Sequence, residues 1–138
     1  MIGFQPDAVH CHDWQTGLIP VLLKDSFHGG DFYRNMKSVI TIHNLKFQGV
    51  WDVKTIQRFT ELPDYYFTPD KLEAYKDGNL LKGGIVYADA ITTVSNPYAE
   101  EIKTPFYGEG LDGLLRARSN SLRGIVTVSY THLTLPTT

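Results

Sequence analysis

Cysteine is almost missing: Cys11 is the only one in 138 residues. That excludes an internal disulfide and any thiolate-based zinc finger, and it points to a reducing compartment, the cytoplasm. An excess of one charge is missing too. Lys and Arg number 13 against 15 Asp and Glu, a net charge of −2, so there is no basic stripe of the kind a nucleic-acid surface needs. No apolar run approaches the ~18–20 residues of a membrane span, and no charged-then-apolar leader opens the chain. Neither nucleic acid nor membrane is expected as a partner. The chain is 42% hydrophobic and 12% aromatic, enough to bury a core in one domain of this length.

The most informative stretch is residues 38–49, SVITIHNLKFQG. Its apolar run Val39–Ile42 reads as a buried strand that breaks into the polar pair His43-Asn44. A strand ending in an imidazole and an amide is how open α/β sheets present ligand-binding groups at their carboxyl edge. Upstream, Ala8–His12 alternates as a short strand, with Val9 and Cys11 on one face and His10 and His12 on the other. Asp13 then stands as the N-cap of a helix over 14–27, in which Leu18, Val21 and Leu22 recur at helical spacing. Strand, helix, strand is a right-handed crossover of a parallel sheet.

Beyond Gly49 the sequence is irregular and aromatic to Phe67. Thr68-Pro69-Asp70 reads as a helix start, with the helix ending near Gly78. A second helix spans 80–88. It carries Gly83-Gly84, each costing about 1 kcal/mol relative to alanine, which close approach to a neighbouring backbone explains. A strand at 90–94, a helix capped by Ser95 or Asn96 with Pro97 just inside, a helix at 111–118 and a strand at 122–126 follow. The alternation predicts an α/β fold, a doubly wound parallel sheet flanked by helices.

Several motifs are weighed for chemistry. His10-Cys11-His12-Asp13 puts two imidazoles on one strand face with a carboxylate just beyond. This suits a sugar- or phosphate-binding role, a metal-dependent hydrolase using His10, His12 and Asp13, or plain capping. The other histidines besides His43, His28 and His132, sit in no compatible ligand pattern. Residues 108–113, GEGLDG, match G-x-G-x-x-G formally, but Pro105 precedes them where a strand is required. They read as a turn and a helix start. Lys82-Gly83-Gly84 lies inside a helix and is no phosphate loop, and Ser95 and Ser129 lack a nucleophile elbow.

Taken in order, His12-Asp13-Trp14, Thr41-Ile42-His43-Asn44 with Gln48-Gly49, Lys82-Gly83-Gly84 with Tyr87-Ala88-Asp89, Thr92-Thr93-Val94-Ser95 and residues 107–115, YGEGLDGLL, closely resemble the bacterial glycogen synthases. These are ADP-glucose-dependent relatives of plant starch synthases, and the likeness runs from about Pro6 to Val126. The resemblance implies a partial Rossmann-like domain of a two-domain, GT-B type glycosyltransferase. It implies metal-independent, retaining transfer of glucose from ADP-glucose to the end of an α-1,4-glucan, with no cofactor beyond the donor. It places His43 against the donor sugar with Asn44 beside it, and Asp13 at the sugar-binding cleft. A non-catalytic glucan-binding module and a transferase for another nucleotide sugar remain as alternatives.

Three departures accompany the likeness. The family's lysine-x-glycine-glycine loop is expected upstream of Met1, and the second domain, with its cations for the departing diphosphate, is expected beyond this chain. Residues 1–126 are therefore expected to be part of the amino-terminal catalytic domain and inactive alone. Residues 127–138, TVSYTHLTLPTT, match nothing in the family and look like translated sequencing-adapter read-through. Genomic DNA amplified across codon 126 is expected to continue with a different sequence; recovery of this tail from the intact locus would refute the idea.

Overall fold

The computed structural model describes residues 3–27 and 29–126; His28 and the tail 127–138, with Ser129 and His132, lie outside the described residues. Strand β1 (Ala8–His12) forms on the alternating AVHCH stretch. The single helix expected over 14–27 is instead a 3-10 turn at Trp14–Thr16, helix α1 (Leu18–Val21) and a π-helical turn at Leu22–Ser26. Pro20 falls in the first turn of α1, where its missing N–H is not needed. Strand β2 (Lys37–Ile42) follows, two residues longer than the apolar run alone indicates.

The aromatic stretch after Gly49 is more ordered than its sequence suggests. It contains strand β3 (Val50–Trp51) and helix α2 (Val53–Thr60), whose N-cap Asp52 accepts from Thr55 N–H at 3.1 Å. The helix expected from Thr68 does not form. Thr68 gives its hydroxyl to Asp70, and the chain turns into strands β4 (Glu73–Ala74) and β5 (Asp77–Asn79). These two are joined through Tyr75 and Lys76, both at positive φ (54° and 74°). Two successive left-handed residues make the primed hairpin turn whose twist matches that of the strands. Lys82 secures this segment from below, its ammonium donating to the carbonyls of Pro69 and Glu73.

Helix α3 (Leu80–Tyr87), strand β6 (Ala90–Thr93), helices α4 (Asn96–Glu101) and α5 (Asp112–Ala117) and strand β7 (Leu122–Gly124) complete the order. Ser95 caps α4 as expected, accepting from Tyr98 N–H at 3.1 Å. Residues 108–113 are a turn running into α5, with Glu109 and Gly110 at φ 49° and 85°.

β1, β2, β6 and β7 form one parallel sheet in that spatial order. Its register aligns Cys11, Ile40, Ile91 and Leu122 on one face. There they share a core cluster with Leu81 and Ile85 of α3, Ile102 just after α4 and Leu115 of α5. Because each strand adds on the same side of the last, right-handed crossovers put the connecting helices on a single face. The α/β class and the helix-flanked parallel sheet are as the sequence indicates, although among the described residues the winding is on one side only. The opposite face carries His10, His12, Thr41, Thr92 and Arg123. The paired glycines do what a close approach requires. A Cβ on Gly84 would lie 2.4 Å from Ile40 Cδ1 and 3.3 Å from the Gly17 backbone, and one on Gly17 would lie 2.1 Å from Leu80 O.

Candidate active site

The site is built where β1 and β2 end side by side. In a parallel ladder every second residue of one strand bonds two residues of its neighbour, donating to one and accepting from the residue two positions further along it. Asp13 keeps the first half of that pattern, its N–H meeting Thr41 O at 3.0 Å. The second half belongs by register to Asp13 O and His43 N–H. Asp13 instead adopts φ 57°, ψ −168°, at the edge of a region nearly reserved for glycine that costs on the order of 1–3 kcal/mol. Its carbonyl thereby turns into the next turn, accepting from Thr16 N–H at 3.3 Å. The vacated rung is filled by its own side chain: Asp13 Oδ1 accepts from His43 N–H at 2.7 Å.

This corrects the expectation that Asp13 caps a helix. Its carboxylate makes no capping bond; it joins two strand ends. The structure thus brings together two of the three expected site residues by direct contact, and Asn44 follows in the same loop. Asn44 Oδ1 is spent on Lys46 N–H at 3.0 Å, which leaves its NH₂ as the group able to meet a ligand. His43 and Asn44 are exposed, and Asp13 is half-buried.

Two further histidines stand beside them. His12 Nδ1 is 3.1 Å from His43 Nε2, and the His10 ring lies 4.2 Å from that of His12 between centroids. His10 Nε2 is 2.6 Å from Thr41 Oγ1, itself 2.6 Å from Thr92 Oγ1. Desolvation of its ring, then the His12 and His43 imidazoles, hold the His10 pKa below its ordinary 6.5. These rings do not converge on a common point with Asp13: His10 is committed to Thr41, and both His12 and Asp13 to His43. Among the described residues no group of three or more His, Cys, Asp or Glu is arranged to hold a metal ion, so the geometry lends the hydrolase alternative no support.

The loop after Asn44 is fixed by partners the sequence does not flag. Gln48 Nε2 donates to Leu45 O (3.0 Å) and Glu109 O (2.9 Å), while its Oε1 accepts from Asn79 Nδ2 (2.7 Å). The carbonyls of Gln48 and Gly49 take the first free N–H groups of α3, from Leu81 and Leu80. Gly49, at φ 67°, lies so close to Trp14 that a Cβ would be 2.6 Å from the indole ring. A hollow of about 480 Å³ opens beside this loop, lined by Trp14, Lys46, Phe47, Gln48, Trp51 and Glu109 among others. A larger one, about 560 Å³, lies between the β4–β5 hairpin and α5. Neither hollow is lined by Asp13, His43 or Asn44 themselves; the smaller one is lined by their chain neighbours Trp14 and Lys46.

Polar groups thus gather at adjacent parallel-strand ends, the edge where open α/β sheets bind ligands, beside a fixed loop. Residues 1–117 match the family described as starch synthase catalytic domain. The chain belongs to that family. It is 70% identical over 126 residues to the glycogen synthase of Lachnospira eligens, covering 91% of this chain and 26% of that protein. With the glycogen synthase of Anoxybacillus flavithermus it shares 52% identity over 126 residues, again 91% of this chain and 26% of the relative. The chain thus spans about a quarter of the length of the curated relatives it matches. Among solved structures it is similar to the catalytic domain of starch synthase IV from Arabidopsis thaliana bound to ADP and acarbose. That likeness has a TM-score of 0.85 and 30% identity, covering 99% of this chain and 28% of that one. The fold is accordingly part of a GT-B starch synthase catalytic domain.

The clamp yields a direct stability prediction. Asp13→Ala takes the acceptor from an exposed His43 N–H that water can then meet, and is expected to cost about 0.5–1.5 kcal/mol. Asp13→Asn keeps an oxygen at the same place in a residue that tolerates positive φ, and is expected to lose well under half as much. Chemical denaturation of both variants checks this; equal losses would show that the bond carries no weight.

Proposed function

We propose that this chain is part of the amino-terminal domain of a glucosyltransferase that moves glucose, with retention, from ADP-glucose to the non-reducing end of an α-1,4-glucan. The observation that carries the reading is the 2.7 Å bond between Asp13 Oδ1 and His43 N–H, which sets two family-matching positions side by side at the sheet's carboxyl edge. Relatives called glycogen synthases and a structural neighbour bound to ADP and acarbose support the choice of donor and acceptor. In this reading His43 bonds a glucosyl hydroxyl, the Asn44 amide donates beside it, and the Asp13 carboxylate accepts at the cleft while holding the loop. A neutral imidazole can give or take one hydrogen bond, which suits a hydroxyl that does both.

The chemistry asks little of covalent catalysis from these residues. Leaving-group stabilisation by positioned cations is a large term in such transfers, and we assign those cations to the rest of the parent enzyme. Residues 1–126 then form one wall of a cleft, with no cofactor beyond the donor and a cytoplasmic setting. Residues 127–138 are left outside the domain.

A chimera tests the reading: residues 1–126 replace the matching quarter of the Lachnospira eligens enzyme. The chimera is expected to transfer glucose from ADP-glucose to glycogen, and the chain alone to show no turnover. In the chimera His43→Ala is expected to lower kcat/KM for the donor roughly 10- to 100-fold, the effect of one lost hydrogen bond to a buried sugar. Unimpaired turnover in His43→Ala would contradict the assignment, and turnover by the chain alone would contradict the division of labour.

A further inference from the structure

We propose that His12 is a positioning residue for His43, setting its tautomer and ring orientation for the donor sugar; this rests on the reading that His43 meets that sugar. The two nitrogens, His12 Nδ1 and His43 Nε2, are 3.1 Å apart. Between neutral imidazoles such a contact is one N–H···N bond, in which one ring donates and the other accepts. The proton on His12 therefore dictates which nitrogen of His43 carries a proton, and so whether each edge of that ring gives or takes a bond.

A positioning group must itself be held, and His12 is. Its N–H donates to Thr16 Oγ1 at 2.7 Å, and its C=O accepts from the same hydroxyl at 2.8 Å. Its ring rests against His10, which is tied through Thr41 to Thr92 by contacts of 2.6 Å each. A chain of polar groups thus runs across β6, β2 and β1 on the sheet face opposite the helix-packed core and ends at His43. Thr41, at its centre, is only 5% exposed. Main-chain and side-chain restraints meet at one residue: the Asp13 carboxylate fixes the His43 backbone, and His12 fixes its ring.

The rotamer of an exposed histidine otherwise drifts among staggered wells, and ordering it on binding weakens the complex. Holding the ring beforehand strengthens donor binding in the ground and transition states alike, so its loss is read in KM rather than kcat. In the chimera, His12→Phe keeps a ring against His10 but removes the nitrogen. It is expected to raise the donor KM about fivefold, leaving the acceptor KM unchanged and kcat altered by less than about twofold. His12→Asn, whose amide falls near the Nδ1 position, is expected to restore most of the loss. A donor KM unmoved by His12→Phe, or His12→Asn as impaired as His12→Phe, would overturn the proposal. Silence in both His12→Phe and His43→Ala would instead overturn the sugar assignment of His43. A measurement on the unsubstituted chain stands apart from any folding defect. The imidazole ¹⁵N shifts of His43 at pH 8 are expected to show one tautomer, and the mixture typical of free imidazole would refute the inference.

Discussion

One hydrogen bond holds the site together: the Asp13 carboxylate accepts the N–H of His43, across the gap between two parallel strands. The strand ladder assigns that N–H to a main-chain carbonyl. Asp13 frees its carbonyl by turning to a positive φ and substitutes its side chain for it. The exchange lets β1 stop and the next turn begin within a single residue, without leaving an exposed strand end unpaired. It also places a carboxylate, an imidazole and an amide at two adjacent strand ends, a mix of hydrogen-bond donors and acceptors.

The rest of the architecture supports that junction. Gly17 and Gly84 let the turn after Asp13 press against α3, and α3 is capped in turn by the carbonyls of Gln48 and Gly49 from the loop that follows Asn44. Trp14 closes over Gly49, and Gln48 reaches to both Asn79 and Glu109. The loop that carries His43 and Asn44 is therefore bonded on both sides, more like a structural corner than a free connection. Preorganisation of this kind limits the ordering cost of ligand binding. The residues that confer it are glycines, a glutamine and a tryptophan rather than the polar groups at the strand ends.

Much of this was legible in the sequence because it depends on local chemistry. The apolar run ending at His43-Asn44, the alternating AVHCH strand, the Ser95 cap with Pro97 and the close-packed Gly83-Gly84 each carry their reason within a few residues. What was not legible depends on register or on weak local signals. The role of Asp13 needs its pairing with β2, since a carboxylate at a strand end reads equally as a helix cap. Thr68-Pro69-Asp70 has the composition of a helix start, yet Tyr75-Lys76 turns a hairpin without the glycine or asparagine that announces one. Helix α2 gives a weak sequence signal because its residues are mostly polar and it buries only Ile56. An Asp52-to-Thr55 cap was the available sign. Gln48 stands in the sequence only as part of a family motif, and its three partners, Leu45, Asn79 and Glu109, depend on the folded chain.

The central claim is that the two strand ends are joined at His43, and amide hydrogen exchange at that residue tests it most directly. A bonded N–H at an otherwise exposed position exchanges slowly, whereas an unbonded loop amide exchanges almost freely. The His43 amide is expected to be protected to the same order as those of β2. Exchange at the rate of the neighbouring exposed loop would contradict the account.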